Sequence, residues 1–155
     1  MGGKKLKKVC FASSSGGHLE QILALKKDFK LCDSFVVTEK TKFNNKNKGW
    51  YYLNQVNRKD KFIILKLLFI SIHSLLIYFK ERPQIIITTG VLATIPLCLI
   101  ARFFKTKIIY IESFAKITSP TETGKFMYKH SDMFIVQWKE MLKFYPNAKF
   151  FGGIY

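Results

Sequence analysis

The chain is poor in cysteine, and the cysteines it has are badly placed for structural chemistry. Cys10, Cys32 and Cys98 are widely spaced and form no C-x-x-C pair, so the sequence predicts neither a disulfide framework nor a zinc site. No other cluster of metal-ligand type is present, and no cofactor is expected. The basic N-terminus is not followed by the apolar segment of a signal peptide. We therefore expect a protein of the reducing cytoplasm.

Acidic residues and arginine are also scarce. Ten acidic residues face 26 basic ones, which leaves a formal net charge of +16 and favours an anionic partner. Only three of the basic residues are arginines, namely Arg58, Arg82 and Arg102. The planar guanidinium of arginine reads base edges and binds a phosphate through two hydrogen bonds. We therefore favour an anionic membrane surface and expect no nucleic acid. A biased genomic composition would also explain the excess of lysine. The alternative function, from another functional class, is a basic module that binds nucleic acid.

Apolar runs of strand length alternate with segments of helical spacing along the 155 residues. Strands are predicted at 7–13, 33–38, 51–53, 84–88, 107–111, 132–137 and 149–151, and helices at 19–30, 60–81, 92–104, 125–130 and 139–144. Residues 40–49 predict an exposed loop. The alternation predicts one α/β domain over 1–155, a Rossmann-like parallel sheet with helices on both faces. Ligands of such sheets bind at the carboxyl ends of the strands.

A glycine-rich loop, Ser-Ser-Ser-Gly-Gly-His at residues 13–18, joins the first predicted strand to the first helix. Such a turn points backbone N–H groups and the positive end of a helix at one place, which suits a phosphate. The Walker A and G-x-G-x-x-G patterns are absent, so binding of ATP or NAD loses support. A purely structural turn is the alternative. His18 is the one side chain of the loop that titrates near neutral pH, and it acts either as a general base or as a backbone contact.

Two further polar segments follow predicted strands and are expected at the same rim of the sheet. They are Thr-Thr-Gly at 88–90 and Glu-Ser at 112–113. Three roles are open to Glu112: it holds a sugar hydroxyl, it orients His18, or it forms an ordinary ion pair with a lysine.

The segment 60–82 is the most apolar part of the chain, and 18 consecutive residues within it contain only four polar ones. As a helix these 18 residues extend about 27 Å, just short of the hydrocarbon core of a bilayer. Lys59, Lys66, His73 and Lys80 recur every seven residues and form a narrow basic stripe. That pattern suits an interfacial helix whose lysines reach the headgroups better than it suits a span. Three interpretations stand: a core helix, an interfacial helix with Lys66 and Lys80 as membrane contacts, and a true span.

Six motifs, in order along the chain, resemble those of one known family. They are FASSSGGHL at 11–19, RP at 82–83 ahead of IIITTG at 85–90, IES at 111–113, TGK at 123–125, VQW at 136–138 and GGIY at 152–155. The chain resembles the membrane-anchoring subunit of the split UDP-GlcNAc transferase of asparagine-linked glycosylation. It is also similar to bacterial relatives of that subunit in capsule and exopolysaccharide synthesis, which are closer in length. The resemblance spans the whole chain.

The resemblance implies half of a GT-B glycosyltransferase, equivalent to the N-terminal, acceptor-binding domain of the transferase of peptidoglycan synthesis. A separate small catalytic subunit would carry the nucleotide-sugar-binding domain, and this chain would be inactive without it. The sequence ends at Gly-Gly-Ile-Tyr, where a second domain would begin. A complete stand-alone transferase is the alternative.

The implied reaction transfers a sugar from a UDP-sugar to a polyprenyl-diphosphate-linked sugar in capsular or exopolysaccharide biosynthesis. The protein would lie on the cytoplasmic, inner face of the cell membrane as a peripheral subunit. The resemblance places residues 14–18, Thr89 and Gly90 against the acceptor, and the strand-end rule adds Glu112 and Ser113. We therefore predict His18 and Glu112 as catalytic residues, and as contacts of the acceptor and its phosphates Ser14, Ser15, Gly16, Gly17, Thr89, Gly90 and Ser113.

Two departures from the family pattern bear on these expectations. Lys116 stands where the family has arginine, and Pro-Thr-Glu at 120–122 alters the run ahead of Gly124, which weakens the case for a bidentate anion contact there. We expect no counterpart of the N-terminal transmembrane helix of the eukaryotic anchor. The basic N-terminus and the helix at 60–82 are then the expected membrane contacts.

Overall fold

The computed structural model describes residues 7–29, 32–42 and 47–154, and it contains one seven-stranded parallel sheet. The strands are β1 (Val9–Ser13), β2 (Ser34–Glu39), β3 (Trp50–Leu53), β4 (Ile85–Thr88), β5 (Lys107–Ile111), β6 (Met133–Val136) and β7 (Lys149–Phe150). The helices are α1 (Gly17–Lys26), α2 (Ile63–Glu81), α3 (Ile95–Phe103) and α4 (Glu122–Tyr128). The strand order β3-β2-β1-β4-β5-β6-β7 confirms the predicted Rossmann-like fold.

Each face of the sheet carries an apolar cluster, because successive side chains of a strand point to opposite faces. Val9 and Phe11 of β1 pack on one face with Ile22 of α1. Cys10 and Ala12 pack on the other face, in the larger cluster to which α2, α3 and α4 contribute. β1 and β4 are neighbours at the centre, where the strand order reverses direction. Such a switch point is where doubly wound sheets place their ligands.

Some boundaries differ from the predicted ones, and local geometry explains them. The predicted helix at 60–81 begins at Ile63 and ends at Glu81, because Arg82 adopts a left-handed conformation (φ 45°) ahead of Pro83. The predicted helix at 92–104 is a 3-10 turn, Leu92–Thr94, followed by α3 with Pro96 in its first turn. The predicted helix at 139–144 is a 3-10 helix, Lys139–Lys143. Within the predicted loop at 40–49, residues 43–46 lie outside the described residues.

Candidate active site

The glycine-rich loop places the start of α1 at the carboxyl end of β1. β1 ends at Ser13 and α1 begins at Gly17, so three residues make the connection. Gly16 has φ 79°, a left-handed conformation that glycine adopts without strain. Its carbonyl accepts the N–H groups of Leu19 (2.9 Å) and Glu20 (3.1 Å), and no side chain caps the helix. The first turn of α1 therefore offers N–H groups and a positive dipole end to a ligand.

Five buried polar atoms near this loop have no hydrogen-bond partner among the described residues. They come from the carboxyl ends of three adjacent strands and from the start of α1: Ser13 Oγ, Thr38 Oγ1, Thr89 Oγ1, His18 Nδ1 and Gln21 Oε1. Buried polar atoms in native proteins are nearly always paired, because leaving them unpaired costs free energy. A ligand rich in hydroxyl and phosphate oxygens would supply the missing partners.

His18 lies at the wall of a small open cavity of about 260 Å³. The other lining residues are Gly17 and Gln21 from α1 and Ser113, Phe114 and Ala115 from the segment after β5. Burial lowers the pKa of His18 below its ordinary value of 6.5, and the charge of Glu112 opposes that shift. The imidazole is therefore neutral near pH 7 and able to accept a proton from a hydroxyl in the cavity.

The structure brings together only some of the predicted site residues. Gly17, His18 and Ser113 line the cavity, while Ser14, Ser15, Gly16, Thr89, Gly90 and Glu112 do not. Gly90 closes a turn in which its N–H donates to Thr88 Oγ1 (3.0 Å), and a side chain there would collide with the ring of Tyr110. The assignments to catalysis and to acceptor binding stay predictions.

Glu112 is completely buried, and its carboxylate accepts four hydrogen bonds. Oε1 accepts from the N–H of Ser113 (2.9 Å) and from Thr121 Oγ1 (2.9 Å). Oε2 accepts from the N–H of Thr121 (3.3 Å) and from Tyr145 Oη (2.8 Å). Among the described residues it forms no ion pair with a lysine and no hydrogen bond with His18. These contacts favour a positioning role, in which Glu112 fixes the segment that carries Ser113.

Three of the motifs that resemble the family hold the segment that carries Ser113 in place through hydrogen bonds. Gln137 donates to the carbonyl of Glu112 (2.9 Å) and accepts from the N–H of Ile154 (3.1 Å). Trp138 Nε1 donates to the carbonyl of Phe114 (2.7 Å). Gly124 donates to the capping oxygen of Thr121 (2.8 Å), and a Cβ at Gly124 would lie 2.0 Å from Glu112 Oε2. The motifs at 123–125, 136–138 and 152–154 therefore hold one wall of the cavity.

Several polar residues of this region were missed by the sequence reasoning. Gln21 is buried in the second turn of α1, and Thr38 and Glu39 end β2. The N–H of Ser15 donates to the Glu39 carboxylate, and burial raises the pKa of that group. Thr38 and Glu39 lie at the carboxyl end of a strand, the kind of position from which Thr89 was predicted. The same rule would therefore have identified them from the sequence. In the parts of the chain that the structure describes, no group of three or more acidic, histidine or cysteine side chains could hold a metal ion.

The outward side of α2 is apolar and exposed. Ile70, Ser74, Ile77 and Tyr78 pack inward, whereas eight large apolar side chains of the helix face solvent: Ile64, Leu65, Leu68, Phe69, Ile72, Leu75, Leu76 and Phe79. We call these eight residues the outer face of α2. Ile64 is 83% and Leu76 64% exposed, values that are unusual for so many neighbouring apolar residues in a soluble domain. By length and composition, this helix is apolar enough to cross a membrane.

The predicted basic contacts of α2 have partners within the protein. Lys66 pairs with Asp60 at 2.8 Å, and the Lys80 ammonium lies 5.2 Å from the ring centroid of Tyr51. Both side chains remain exposed, and their contact with a membrane stays a prediction. Of the N-terminal basic residues, Lys4 and Lys5 lie outside the described residues, and Lys8 pairs with Glu81 at 2.5 Å.

The sheet face that α1 packs against is only partly covered by helix. A cavity of about 390 Å³ lies beside α1 over the middle of the sheet. Its floor is four isoleucines from β4, β5 and β6: Ile87, Ile109, Ile111 and Ile135. Its edge is formed by α1, the 3-10 turn Lys27–Phe29 that follows it, and residues 151–154: Leu25, Phe29, Phe151 and Ile154. Asp28 and Gln137 are the polar side chains in its lining. A parallel sheet normally buries such a face under helices.

Residues 53–154 match the family described as Alg14, oligosaccharide biosynthesis protein Alg14 like. The match covers α2 and the loops after β4 and β5. It also covers every element that holds the segment of Ser113 in place at the wall of the His18 cavity. The chain belongs to the Alg14-like family. This confirms the family that the six motifs predicted, whereas the bacterial capsular branch stays a prediction.

Relatives of this Alg14-like chain include proteins named as transferase subunits. It is 28% identical over 96 residues to the human UDP-N-acetylglucosamine transferase subunit ALG14, a match that covers 56% of this chain and 44% of the human protein. It is 34% identical over 79 residues to the subunit of the same name from Candida albicans, covering 47% of this chain and 36% of that protein. The chain thus spans less than half the length of these relatives.

Solved structures share the fold of the Alg14-like chain at low sequence identity. MurG from Acinetobacter baumannii has a TM-score of 0.72 and 16% identity, over 86% of this chain and 42% of that one. UDP-N-acetylglucosamine 2-epimerase from Rickettsia bellii has a TM-score of 0.75 and 11% identity, over 96% of this chain and 45% of that one. The chain thus has the architecture of one half of a GT-B protein.

Proposed function

We propose that this Alg14-like chain is the acceptor-binding, membrane-docking subunit of a two-component glycosyltransferase. The reaction transfers a sugar from a UDP-sugar to a polyprenyl-diphosphate-linked sugar. The observation that carries the proposal is the group of five unpartnered buried polar atoms around the N-terminus of α1, beside a neutral His18. Hydroxyl and phosphate groups match those atoms, whereas an apolar ligand does not.

In this role the residues of the glycine-rich loop face the sugar and the diphosphate of the acceptor. N–H groups at the start of α1 stabilise phosphate charge through fixed dipoles, without reorganisation during the reaction. His18 accepts the proton of the attacking sugar hydroxyl, which its lowered pKa permits at neutral pH. Glu112 keeps Ser113 and its neighbours in place opposite His18.

Membrane docking is assigned to the outer face of α2. A helix that packs on the sheet through Ile70, Ile77 and Tyr78 is part of the domain core, so it suits insertion parallel to the surface better than a span. Its eight outward apolar side chains enter the headgroup boundary, and the basic residues beside them, including Lys66 and Lys80, meet anionic lipid. The acceptor is itself a membrane lipid, so docking brings the site to its substrate.

The catalytic partner is assigned to the uncovered sheet face. The human and fungal relatives are named as subunits of a transferase, which supports a partner for this chain. The cavity over Ile109, Ile111 and Ile135 has the apolar floor that a helix of a partner subunit would cover. The partner would supply the domain that binds the nucleotide sugar. UDP-GlcNAc is the donor that the relatives' names support. The capsular or exopolysaccharide setting and the cytoplasmic face remain expectations from the resemblance.

Reconstitution with the partner tests the proposal. The full chain is co-expressed with its partner, and transfer from UDP-GlcNAc to a polyprenyl-diphosphate sugar is measured in detergent. His18→Ala is expected to lower kcat about 10²- to 10⁴-fold, the range for loss of a general base. Lys27→Ala, an exposed change at the far end of α1, serves as the control. Full activity of His18→Ala refutes the catalytic role, and full activity of the isolated wild-type chain establishes a stand-alone transferase instead.

Partner docking has a separate test with a matched pair of variants. Phe151 borders the cavity and is 73% exposed, whereas its neighbour Phe150 is 38% exposed and does not line the cavity. Phe151→Asp is expected to abolish co-purification of the partner, and Phe150→Asp is expected to preserve it. Equal recovery of the partner with both variants excludes this face as the interface.

A further inference from the structure

The cavity beside His18 contains a polar side chain to which the proposed function gives no role of its own. Gln21 lines this cavity three residues after His18 on α1, and it is 3% exposed. Its Oε1 is buried and has no hydrogen-bond partner among the described residues. An unpaired buried amide costs free energy, so glutamine is an unfavourable choice at this position unless a ligand completes its hydrogen bonds.

The packing of α1 on the sheet does not explain this amide. Leu19 and Ile22, the residues on either side of it that pack on the sheet, are apolar and belong to the cluster on that face. His18 and Gln21 are three residues apart and therefore lie on the same side of the helix. Both line the cavity together with the segment that carries Ser113. An apolar residue at position 21 would suffice for packing, so the amide indicates recognition of a ligand.

The rest of the cavity lining suits a sugar ring. An imidazole, an amide and the aromatic residue Phe114 line the same small space. The carbonyl of Phe114 accepts a hydrogen bond from Trp138 Nε1 at 2.7 Å, and the centroids of the two rings are 4.9 Å apart, which fixes this wall. A pyranose has an apolar C–H face that packs against an aromatic residue, and it has hydroxyl groups for the imidazole and the amide.

The charge of the lining narrows the class of sugar. Among the described residues, no lysine, arginine or carboxylate lines the cavity, and His18 is its one titratable side chain. Burial lowers the pKa of His18, so the imidazole is neutral near pH 7. A uronic acid would therefore find no cation for its carboxylate in the cavity, and an uncharged sugar avoids that cost.

We propose that Gln21 determines which acceptor sugar is used, because its amide binds a hydroxyl next to the attacking hydroxyl on an uncharged pyranose. The inference rests on the proposed function, which places the attacking hydroxyl at His18. Side chains three residues apart on a helix have Cβ atoms about 5–6 Å apart, a separation from which both can reach neighbouring hydroxyl groups of one ring. His18 then receives the proton of the reacting hydroxyl, and Gln21 discriminates among sugars.

NMR titration of the ¹⁵N-labelled full chain tests this contact. The probes are the methyl glycosides of glucose, galactose and N-acetylglucosamine, their monodeoxy analogues, and methyl glucuronide. At least one neutral glycoside is expected to shift the side-chain amide resonance of Gln21, which is assigned by its loss in Gln21→Met. One monodeoxy analogue of that glycoside should bind at least about tenfold more weakly, because it leaves the buried amide unpaired. Methyl glucuronide should bind at least about tenfold more weakly than methyl glucoside.

A matched pair of variants separates recognition from structure. Gln21→Met replaces the amide with an apolar side chain of similar length, and Glu20→Met places the same residue at the exposed neighbouring position. Affinities are measured from the ring resonances of His18 in each protein. Gln21→Met should reduce the roughly tenfold preference for the hydroxyl to less than about threefold, whereas Glu20→Met should preserve it. A purely structural role of Gln21 would weaken both ligands alike and leave the preference unchanged.

The results separate this inference from the proposed function. A Gln21 amide that does not shift while His18 responds, a preference that survives Gln21→Met, equal binding of glucuronide and glucoside, or no binding of any glycoside overturns the inference. Transfer by the chain and its partner with the preference unchanged in Gln21→Met also overturns it, and the proposed function then stands. Gln21-dependent binding by a chain that supports no transfer with its partner confirms the sugar contact and refutes the proposed function.

Discussion

Gly124→Ala tests the hydrogen-bond network that holds the wall of the candidate site. The added Cβ would lie 2.0 Å from Glu112 Oε2, and 2.7 Å from both Thr121 Oγ1 and Tyr145 Oη. All three atoms belong to the network around the buried carboxylate. Because 2.0 Å is far inside van der Waals contact and the carboxylate is buried, the Glu112 side chain has to move away from its donors.

The expected cost follows from the bonds that are lost. Oε2 accepts from the N–H of Thr121 at 3.3 Å and from Tyr145 Oη at 2.8 Å, and each hydrogen bond to a charged group contributes about 1.5–3 kcal/mol. Alanine regains about 1 kcal/mol of helix propensity relative to glycine. The free energy of unfolding should therefore fall by about 2–5 kcal/mol.

Urea denaturation, followed by the fluorescence of Trp50 and Trp138, measures this change. Gly17→Ala is the matched control, because nothing lies within 4 Å of a Cβ there and φ is not positive. It should raise the free energy of unfolding by about 0.5–1 kcal/mol. If Gly124→Ala shifts stability no more than Gly17→Ala does, the network around Glu112 is not as described.

Three further outcomes are expected. Because burial lowers the pKa of His18 below its ordinary value of 6.5, kcat/KM of the reconstituted enzyme should fall towards acid pH with a midpoint below pH 6.5; a midpoint above 6.5 contradicts this. Leu68→Glu with Leu76→Glu should weaken sedimentation with phosphatidylglycerol vesicles at least tenfold, and unchanged sedimentation refutes docking by α2. With a thiol reagent at pH 8, Cys32 should react rapidly. Cys98, whose pKa burial raises to about 12, should react only after denaturation. Rapid reaction of two thiols would contradict the burial of the core cysteines.

Features set by local pattern were predictable from the sequence. The strands and the parallel sheet follow from alternation of apolar runs, and the glycine-rich loop follows from its position between β1 and α1. The strand-end rule correctly brought Ser113 to His18. The same rule, applied to β2, would have included Thr38 and Glu39.

Features set by distant contacts were not predictable. The role of Glu112 depends on Tyr145, which is 33 residues away, and no spacing rule links the two. The pairing of Lys66 with Asp60 depends on how the chain turns ahead of α2. The basic stripe on α2 was visible in the sequence, but the eight exposed apolar residues beside it emerge only once the packed face is known.

Transfer activity of the purified chain, its partner and the two together tests the central claim most directly. With UDP-GlcNAc and a polyprenyl-diphosphate sugar, the account predicts transfer by the pair, none by this chain alone, and a loss of about 10²-fold or more in the pair that carries His18→Ala. Transfer by the isolated chain, or an unaffected His18→Ala pair, would contradict it.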